Sequence, residues 1–155
     1  MSHMGEEKLT IIVDGVRVDA IHEQHILQAC DAAVVYIPRL CYHLDLKPAG
    51  HCRLCTCKID GRRVSACTMT VSHGPVVETN TKEPNDDRRR IVEMLFAEGN
   101  HFCPSCEKGG NCELQALGYR LGMLVPAFPS LWEHRTIDAT HPDLFIDRNR
   151  CVLCS

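Results

Sequence analysis

The chain has 155 residues, of which 45% are hydrophobic and 24% charged, and its formal net charge is −3. This composition fits one or two small globular domains and excludes a disordered or fibrous class. The basic residues form only one short run, Arg88 to Arg90, so the positive surface that nucleic-acid binding requires is missing and no nucleic-acid partner is expected. No stretch approaches the roughly 20 apolar residues of a membrane-spanning helix.

The start of the chain and its cysteine content both bear on the compartment. The first ten residues contain no apolar core of the kind that a secretory signal requires, so we expect a cytoplasmic protein. Ser2, His3 and Met4 resemble the remnant of an expression tag, and His3 is not expected to bind a metal. In a reducing compartment, the eleven cysteines are more typical of metal ligands than of disulfides.

The first half of the chain predicts a small mixed sheet crossed by one helix, which is an α+β arrangement. Two Asp-Gly pairs flanked by residues of alternating polarity indicate two β-hairpins, and one stretch has apolar residues at helical spacing. The predicted elements are a hairpin over residues 8–20, a helix over residues 23–35, strands over residues 56–59 and 62–66, and a strand over residues 76–79.

The composition changes near Asn85, whose side chain is suited to cap a helix. Apolar stripes predict one helix over residues 86–98 and another over residues 111–122. An extended segment follows, and beyond Leu131 the sequence predicts loop and at most one short strand. The expected division is a first domain over residues 5–82, a small helical domain over residues 83–124 and a tail over residues 125–155.

Four cysteines form a first constellation, Cys41-x10-Cys52-x2-Cys55-x11-Cys67. Three of them lie in or beside a loop without regular periodicity and the fourth follows a hairpin, so four thiolates can converge on one point. Gly50 gives this loop conformational freedom, and the loop can direct backbone N–H groups at the sulfurs. A structural zinc ion is the alternative for four thiolates, although zinc ribbons usually use two C-x2-C pairs.

The second constellation is His101-x-Cys103-x2-Cys106-x5-Cys112. Its C-x2-C pair lies in the loop before a predicted helix, and Cys112 falls in the first turn of that helix, where backbone dipoles favour a thiolate. Zinc held by three Cys and one His is the alternative here. His134 or His141 would supply the fourth ligand only if the later segment folds back.

Four cysteines remain outside these two sets. Cys30 lies on the apolar face of the first predicted helix and Cys57 on a predicted strand, so both are expected in the core, with a spare ligand as the alternative for Cys57. Cys151-x2-Cys154 looks like the opening of a ferredoxin C-x2-C-x2-C-x3-C run. Two thiolates do not complete a four-ligand site, so no third cluster is predicted.

The two motifs, in this order, resemble known iron–sulfur proteins. The long first gap resembles that of the [2Fe–2S] ferredoxin domain at the start of the large iron–sulfur subunit of respiratory complex I. The stretch from Phe96 to Gln115 resembles the [4Fe–4S] module that follows it there and in iron-only and NAD-reducing hydrogenases. After residue 6 the chain is most similar to the HoxU-type diaphorase iron–sulfur subunit of the bidirectional, NAD-reducing [NiFe] hydrogenases.

This resemblance implies a β-grasp, ferredoxin-like [2Fe–2S] domain followed by a small, mainly helical [4Fe–4S] domain. The implied ligands are Cys41, Cys52, Cys55 and Cys67 for the [2Fe–2S] cluster, and His101, Cys103, Cys106 and Cys112 for the [4Fe–4S] cluster. Complex I large subunits and iron-only hydrogenases place the ligand His four residues before the first Cys, where this chain has Gly99. The Asn-His-x-Cys form of this chain resembles that of the hydrogenase diaphorase subunits, and this resemblance implies the ligand role for His101.

The implied function is a relay of single electrons between an FMN-bearing, NAD(H)-binding diaphorase subunit and a hydrogenase or formate dehydrogenase module. No catalytic site is implied within the chain, and it carries no Gly-rich dinucleotide fingerprint. Two alternatives stay open. One is a free-standing [2Fe–2S] carrier whose second site holds structural zinc, and the other is a purely structural zinc scaffold.

Overall fold

A computed structural model describes residues 8–151 of the chain. The chain divides into two compact units, with the boundary between Asp87 and Arg88. The first unit is built on a sheet and the second on helices, so the prediction of an α+β fold class is confirmed. Among residues 8–151, no helix combines the length and the apolar character needed to cross a membrane.

The first unit contains a five-stranded sheet made of β1 (Lys8–Val13), β2 (Val16–Ile21), β3 (Thr56–Ile59), β4 (Arg62–Ser65) and β5 (Val76–Glu78). The strand order is β2-β1-β5-β3-β4. Strands β1 and β5 run parallel, and the other neighbouring pairs are antiparallel. Both predicted hairpins are confirmed, because each Asp-Gly pair adopts positive φ at both residues, as a tight hairpin turn requires.

One helix, α1 (Ile26–Ala32), packs on this sheet and closes the core of the first unit. Its buried face carries Leu27, Ala29 and Cys30. The sheet contributes alternate residues of β1, β2 and β5, including Ile11 and Val77, which are fully buried. Because these side chains point to one face only, the alternating pattern of the sequence sets the register of the sheet.

The predicted helix over residues 23–35 is too long at both ends. At the start, the Glu23 N–H donates to the Val71 carbonyl and the Val71 N–H donates to the Gln24 carbonyl, each with 2.8 Å between N and O. These strand-like bonds hold residues 23 and 24 outside the helix. At the end, Val34 has a φ of 60°, which terminates the helix after Ala32.

The second unit begins within α2 (Lys82–Glu98), a helix that starts four residues earlier than predicted. Asn85 is not its N-cap, because the Asn85 N–H already donates to the Thr81 carbonyl, with 3.3 Å between N and O. Pro84 lies in the first turn, where a residue without an N–H is tolerated. The next helix, α3 (Glu113–Arg120), is shorter than predicted and has Cys112 as its N-cap.

The tail contains a hairpin that was not predicted from the sequence. Its strands are β6 (Asp138–His141) and β7 (Leu144–Ile146), and a 3-10 turn over Arg148–Arg150 follows. Strands this short carry too few residues for periodicity to be recognised. The usable signal is Pro142-Asp143, a pair typical of turns.

Candidate metal centres

The loop between α1 and β3 carries three of the four cysteines of the first constellation. Cys41 and Cys52 are half-buried, whereas Cys55 is buried just before β3. Cys67 is buried two residues after the end of β4. The Ala66 N–H donates to the Cys55 carbonyl, with 3.1 Å between N and O. The pairing of β3 with β4 therefore brings Cys55 beside Ala66, the residue before Cys67.

Backbone amides point at the sulfurs of the two half-buried cysteines, as expected for this loop. The Cys52 N–H donates to the Cys41 sulfur, with 3.3 Å between N and Sγ. Burial alone would raise the pKa of Cys52, but hydrogen bonds from backbone groups, among them Leu40 and Leu54, hold it below the usual value of a thiol. Such donors stabilise a thiolate, which is the form that binds a metal.

The sulfur of Cys67 lies within electrostatic range of the other three. Burial raises the pKa of the Cys67 thiol to about 12, and the side chains of Cys55, Cys41 and Cys52 contribute to this increase. The other three sulfurs therefore disfavour the ionisation of Cys67, and a bound cation would remove that cost. The first constellation supplies four thiols, three of them within electrostatic range of the fourth.

Two residues with positive φ shape the loop around these sulfurs. Arg53 has a φ of 58° and its guanidinium donates to the Ser65 hydroxyl, with 3.2 Å between Nη1 and Oγ, which ties the C-x2-C segment to β4. Gly50 has a φ of 70°, and a Cβ at that position would lie 3.1 Å from Cγ2 of Thr68. Glycine suits this position because a side chain there would be strained by the backbone conformation and crowded by Thr68.

The second constellation lines a cavity of about 450 Å³ inside the second unit. All four predicted ligands reach it: His101, Cys103, Cys106 and Cys112. The 3-10 turn Cys103–Ser105 positions the C-x2-C pair, and the N-cap of α3 positions Cys112. The volume lies within the roughly 300–1,000 Å³ that is usual for cofactor sites.

The imidazole of His101 is fixed by its contacts with the end of α2. Its Nε2 donates to the Leu95 carbonyl, with 3.0 Å between N and O. The ring meets Phe96 edge to face, with 5.2 Å between ring centroids. Burial lowers the pKa of His101, and the Leu95 carbonyl partly offsets this, so the imidazole is neutral near pH 7 and its Nδ1 retains a lone pair.

Residues in and next to the unpredicted hairpin also line this cavity. Phe145 in β7 and Ile137 just before β6 supply apolar surface, and Asp147 and Arg150, which follow β7, supply charges of opposite sign. These residues were missed because the hairpin and the turn after it were not predicted. His134 and His141, the alternative fourth ligands, are exposed and are not among the residues that line the cavity.

The remaining cysteines have other surroundings. Cys30 and Cys57 are fully buried in the core of the first unit, as predicted, and the Cys57 thiol donates to the Cys55 carbonyl, with 3.4 Å between Sγ and O. Cys151 is exposed, whereas Cys154 and His3 lie outside the described residues. Within residues 8–151 no cysteine forms a disulfide bond, and no group of three or more His, Cys, Asp or Glu side chains is arranged to hold a single metal ion.

Two protein-family models match successive parts of the chain. Residues 6–82 match the 2Fe-2S iron-sulfur cluster binding domain. Residues 88–125 match the NADH-ubiquinone oxidoreductase-G iron-sulfur binding region. The first match spans all four predicted ligands of the first unit, and the second spans His101 and the three cysteines after it.

The gamma subunit of the NAD-reducing hydrogenase HoxS of Cupriavidus necator is 42% identical to this chain over 146 residues. The alignment covers 94% of this chain and 62% of the subunit. The chain is related to iron–sulfur subunits of an NAD-reducing hydrogenase and of NADH-ubiquinone oxidoreductases. A chain in the crystal structure of an NAD+-reducing [NiFe]-hydrogenase in the H2-reduced state superposes on it with a TM-score of 0.90, at 44% identity. That superposition covers 94% of this chain and 62% of the other.

Longer relatives match over the same region. The mitochondrial 78 kDa subunit of the NADH-ubiquinone oxidoreductase of Neurospora crassa is 32% identical over 96% of this chain and 20% of its own length. The alpha subunit of the NADPH-Fe(3+) oxidoreductase of Geobacter sulfurreducens is 32% identical over 94% of this chain and 18% of its own length. The chain therefore spans 62% of the hydrogenase subunit and about a fifth of the longer relatives.

The comparisons bear out the predicted family and both predicted cofactors, a [2Fe–2S] cluster and a [4Fe–4S] cluster. The residues of both sites suit these groups. The first offers four thiols with backbone N–H groups directed at two of them, and the second offers three thiols and an imidazole around one cavity. These relatives are subunits of assemblies with several chains.

Proposed function

We propose that this chain is an electron-transfer component of an NAD-linked oxidoreductase and passes single electrons between two iron–sulfur clusters. When bound, each cluster supplies a one-electron redox centre whose potential depends on its ligands, its hydrogen bonds and its burial. The chain contributes no bond-making step of its own. The observation that carries the proposal is the presence of both ligand constellations, one in each compact unit.

In the first unit, the thiolates of Cys41, Cys52, Cys55 and Cys67 are proposed to hold the [2Fe–2S] cluster. The amide of Cys52 and the backbone groups around it donate to sulfur and so stabilise negative charge on the ligands. The burial of Cys55 and Cys67 keeps water away from one side of the site. These two features shift the reduction potential of the first cluster in opposite directions. N–H donors raise the potential because they favour the reduced, more negative state, whereas burial lowers it because burial disfavours that state.

In the second unit, His101, Cys103, Cys106 and Cys112 are proposed to hold the [4Fe–4S] cluster. Ile137 and Phe145 contribute apolar side chains to the lining of the cavity that these ligands share. Three thiolates and one neutral imidazole give this ligand set one negative charge less than four thiolates. A smaller ligand charge favours the reduced state, so this ligand set raises the potential above that of an all-thiolate site.

The proposed partners are inferred from the relatives. These relatives are an NAD-reducing hydrogenase and oxidoreductases that act with NADH or NADPH. We propose an FMN-bearing, NAD(H)-binding diaphorase subunit on one side and a hydrogenase or formate dehydrogenase module on the other. The cytoplasm is the proposed compartment, because free thiols in this number persist where glutathione keeps cysteines reduced.

The decisive experiment is a count of iron, labile sulfide and zinc in protein purified without air. The two clusters together require about six iron atoms per chain, and reduction with dithionite then gives two distinct paramagnetic signals. Two iron atoms with one zinc per chain would instead indicate a [2Fe–2S] carrier with a structural zinc site. Zinc alone would indicate a structural scaffold and refute the proposal.

The partner assignment needs a separate measurement. Mixed with a diaphorase flavoprotein of the NAD-reducing hydrogenase type, the loaded chain is expected to be reduced by NADH, with bleaching of its visible absorption. Without the flavoprotein NADH is expected to leave the absorption unchanged, because the chain has no dinucleotide-binding fingerprint. Reduction by NADH in the absence of the flavoprotein would contradict this assignment.

A further inference from the structure

Gly99 is buried at the end of α2, at a position where its backbone does not require a glycine. Its φ lies outside the left-handed region, so any L-residue is permitted there on conformational grounds. The obstacle to a side chain is the imidazole of His101. A Cβ built on Gly99 would overlap Nε2 and would lie 2.9 Å from Cδ2 and 3.0 Å from Cε1 of that ring.

The ring edge that faces Gly99 is the edge that α2 already engages. Nε2 donates its proton to the Leu95 carbonyl, one of the last carbonyls of the helix, which have no partner within the helix itself. A donor at Nε2 leaves Nδ1 as the acceptor of the neutral imidazole. Because His101 also lines the cavity with the three cysteines, Nδ1 is the nitrogen that remains for a metal.

We propose that Gly99 and the Leu95 carbonyl together position His101 so that Nδ1 binds the iron of the second site. Gly99 provides the volume that the imidazole fills, and Leu95 provides the hydrogen bond that fixes its tautomer and orientation. This inference rests on the proposed function, since it assumes that the second site holds a cluster. Gly99 is a positioning residue and makes no contact with the metal itself.

The consequence of adding one methyl group follows directly. In Gly99→Ala the ring has to move away from α2, which breaks the bond between Nε2 and the Leu95 carbonyl and turns Nδ1 away from its place. The loss of a partner that orients a metal-ligating histidine typically lowers metal affinity by about 10- to 100-fold. The first site lies in the other compact unit and serves as an internal reference.

The test compares loading of the two sites in one chain. Anaerobically reconstituted wild type, Gly99→Ala and Gly118→Ala are reduced, and the ratio of the [4Fe–4S] to the [2Fe–2S] paramagnetic signal is measured during titration with an iron chelator. Gly99→Ala is expected to lose the [4Fe–4S] signal at a chelator concentration lower by about tenfold or more. Gly118 is a matched buried glycine whose added Cβ would meet only the flexible end of Met123 closely, at 3.1 Å, so Gly118→Ala is expected to behave as wild type.

A double-mutant cycle separates positioning from a general loss of structure. In His101→Cys the side chain ends at its sulfur and no longer reaches Gly99. Adding Gly99→Ala to this variant is therefore expected to leave the signal ratio unchanged. An equal loss in the His101→Cys background would show that Gly99 acts on the fold and would overturn the proposal. If the wild type carries both signals and Gly99→Ala retains the same [4Fe–4S] signal, the role of Gly99 is refuted and the proposed function stands. A wild type without a [4Fe–4S] signal refutes the proposed function, and with it this inference.

The coordinating nitrogen is identified by isotope labelling. Histidine labelled with 15N at Nδ1 alone is incorporated into the chain, and the hyperfine coupling of the reduced [4Fe–4S] cluster is recorded. The strong coupling is expected from the labelled nitrogen in wild type and is expected to vanish in His101→Cys. A strong coupling from unlabelled Nε2 would contradict the assigned orientation.

Discussion

The backbone amide of Cys52 donates a hydrogen bond to the sulfur of Cys41, with 3.3 Å between N and Sγ. Ten residues separate the two cysteines in the chain, so this contact closes the loop of the first site. An N–H donor stabilises the thiolate of its acceptor. The long gap between the first two cysteines is therefore compatible with a preorganised ligand pair.

Cys52 and Cys57 are expected to respond differently to replacement by serine. Cys52→Ser removes a proposed ligand and is expected to abolish the [2Fe–2S] signal. Cys57→Ser keeps a donor for the Cys55 carbonyl in the core and is expected to retain about two iron atoms in the first site. The measurement is iron per chain together with the [2Fe–2S] signal, and equal loss in both variants would refute the assignment of Cys57 to the core.

Gly50→Ala is expected to destabilise the first unit more than Gly61→Ala does. Both glycines have positive φ, so each substitution costs about 1–2 kcal/mol of unfolding free energy from conformation alone. Only Gly50 is also crowded, because its Cβ would lie 3.1 Å from Cγ2 of Thr68, whereas nothing lies within 4 Å at Gly61. Thermal unfolding of the loaded protein measures the difference.

A second substitution tests the cause of that difference. Thr68→Ser removes Cγ2 but keeps the hydroxyl that donates to the Ser65 carbonyl, with 3.2 Å between Oγ1 and O in the native residue. In the Thr68→Ser background, Gly50→Ala is expected to cost no more than Gly61→Ala. A persistent difference would mean that crowding by Thr68 is not the reason.

The two hairpins of the first unit could be predicted because their signal is local. An Asp-Gly pair adopts two successive positive φ values at low cost, and the alternating residues around it then fall into register. The spacing of the cysteines is also a local signal. The start of α1 could not be predicted from a local signal, because residues 23 and 24 are held by hydrogen bonds with Val71, which lies far away in the sequence.

The second site illustrates the same limit. Its cysteines and His101 could be recognised from their spacing, but the sequence does not reveal that Leu95 and Gly99 face the imidazole. That relationship depends on where the chain turns after α2. Phe145 was also missed, because the three residues of β7 are too few to show a strand pattern.

Val34→Gly is expected to stabilise the first unit. Val34 occupies the position after the C-cap of α1 with a φ of 60°, where glycine is usual and a β-branched residue is strained. Its side chain is 92% exposed, so little packing is lost on its removal. Relief of the strain is worth about 1 kcal/mol, which corresponds to an increase of about 4–8 °C in the unfolding midpoint of a domain of this size.

The control for that prediction is Val16→Gly. Val16 is also an exposed valine, but it lies in β2 with ordinary strand geometry. Glycine there costs about 0.5–1 kcal/mol relative to alanine because it loses more conformational freedom on folding. The two substitutions are thus expected to shift the midpoint in opposite directions, and a decrease for Val34→Gly would contradict the assignment of strain to residue 34.

Removal of iron is expected to loosen the cysteine loop and leave the sheet of the first unit in place. The sheet is held by the ladders among β1 to β5 and by a core in which Ile11, Leu27 and Val77 are fully buried, and these interactions do not require a metal. The loop over residues 33–55 contains little regular structure, and its cysteines repel one another when ionised. Amide hydrogen exchange measured by mass spectrometry before and after anaerobic chelation is therefore expected to rise in peptides from the loop and to stay low in peptides from β1 and β2. Full exchange in both sets would mean that the first unit folds only with its metal, as small metal-binding domains do, and would contradict the prediction of a self-sufficient core.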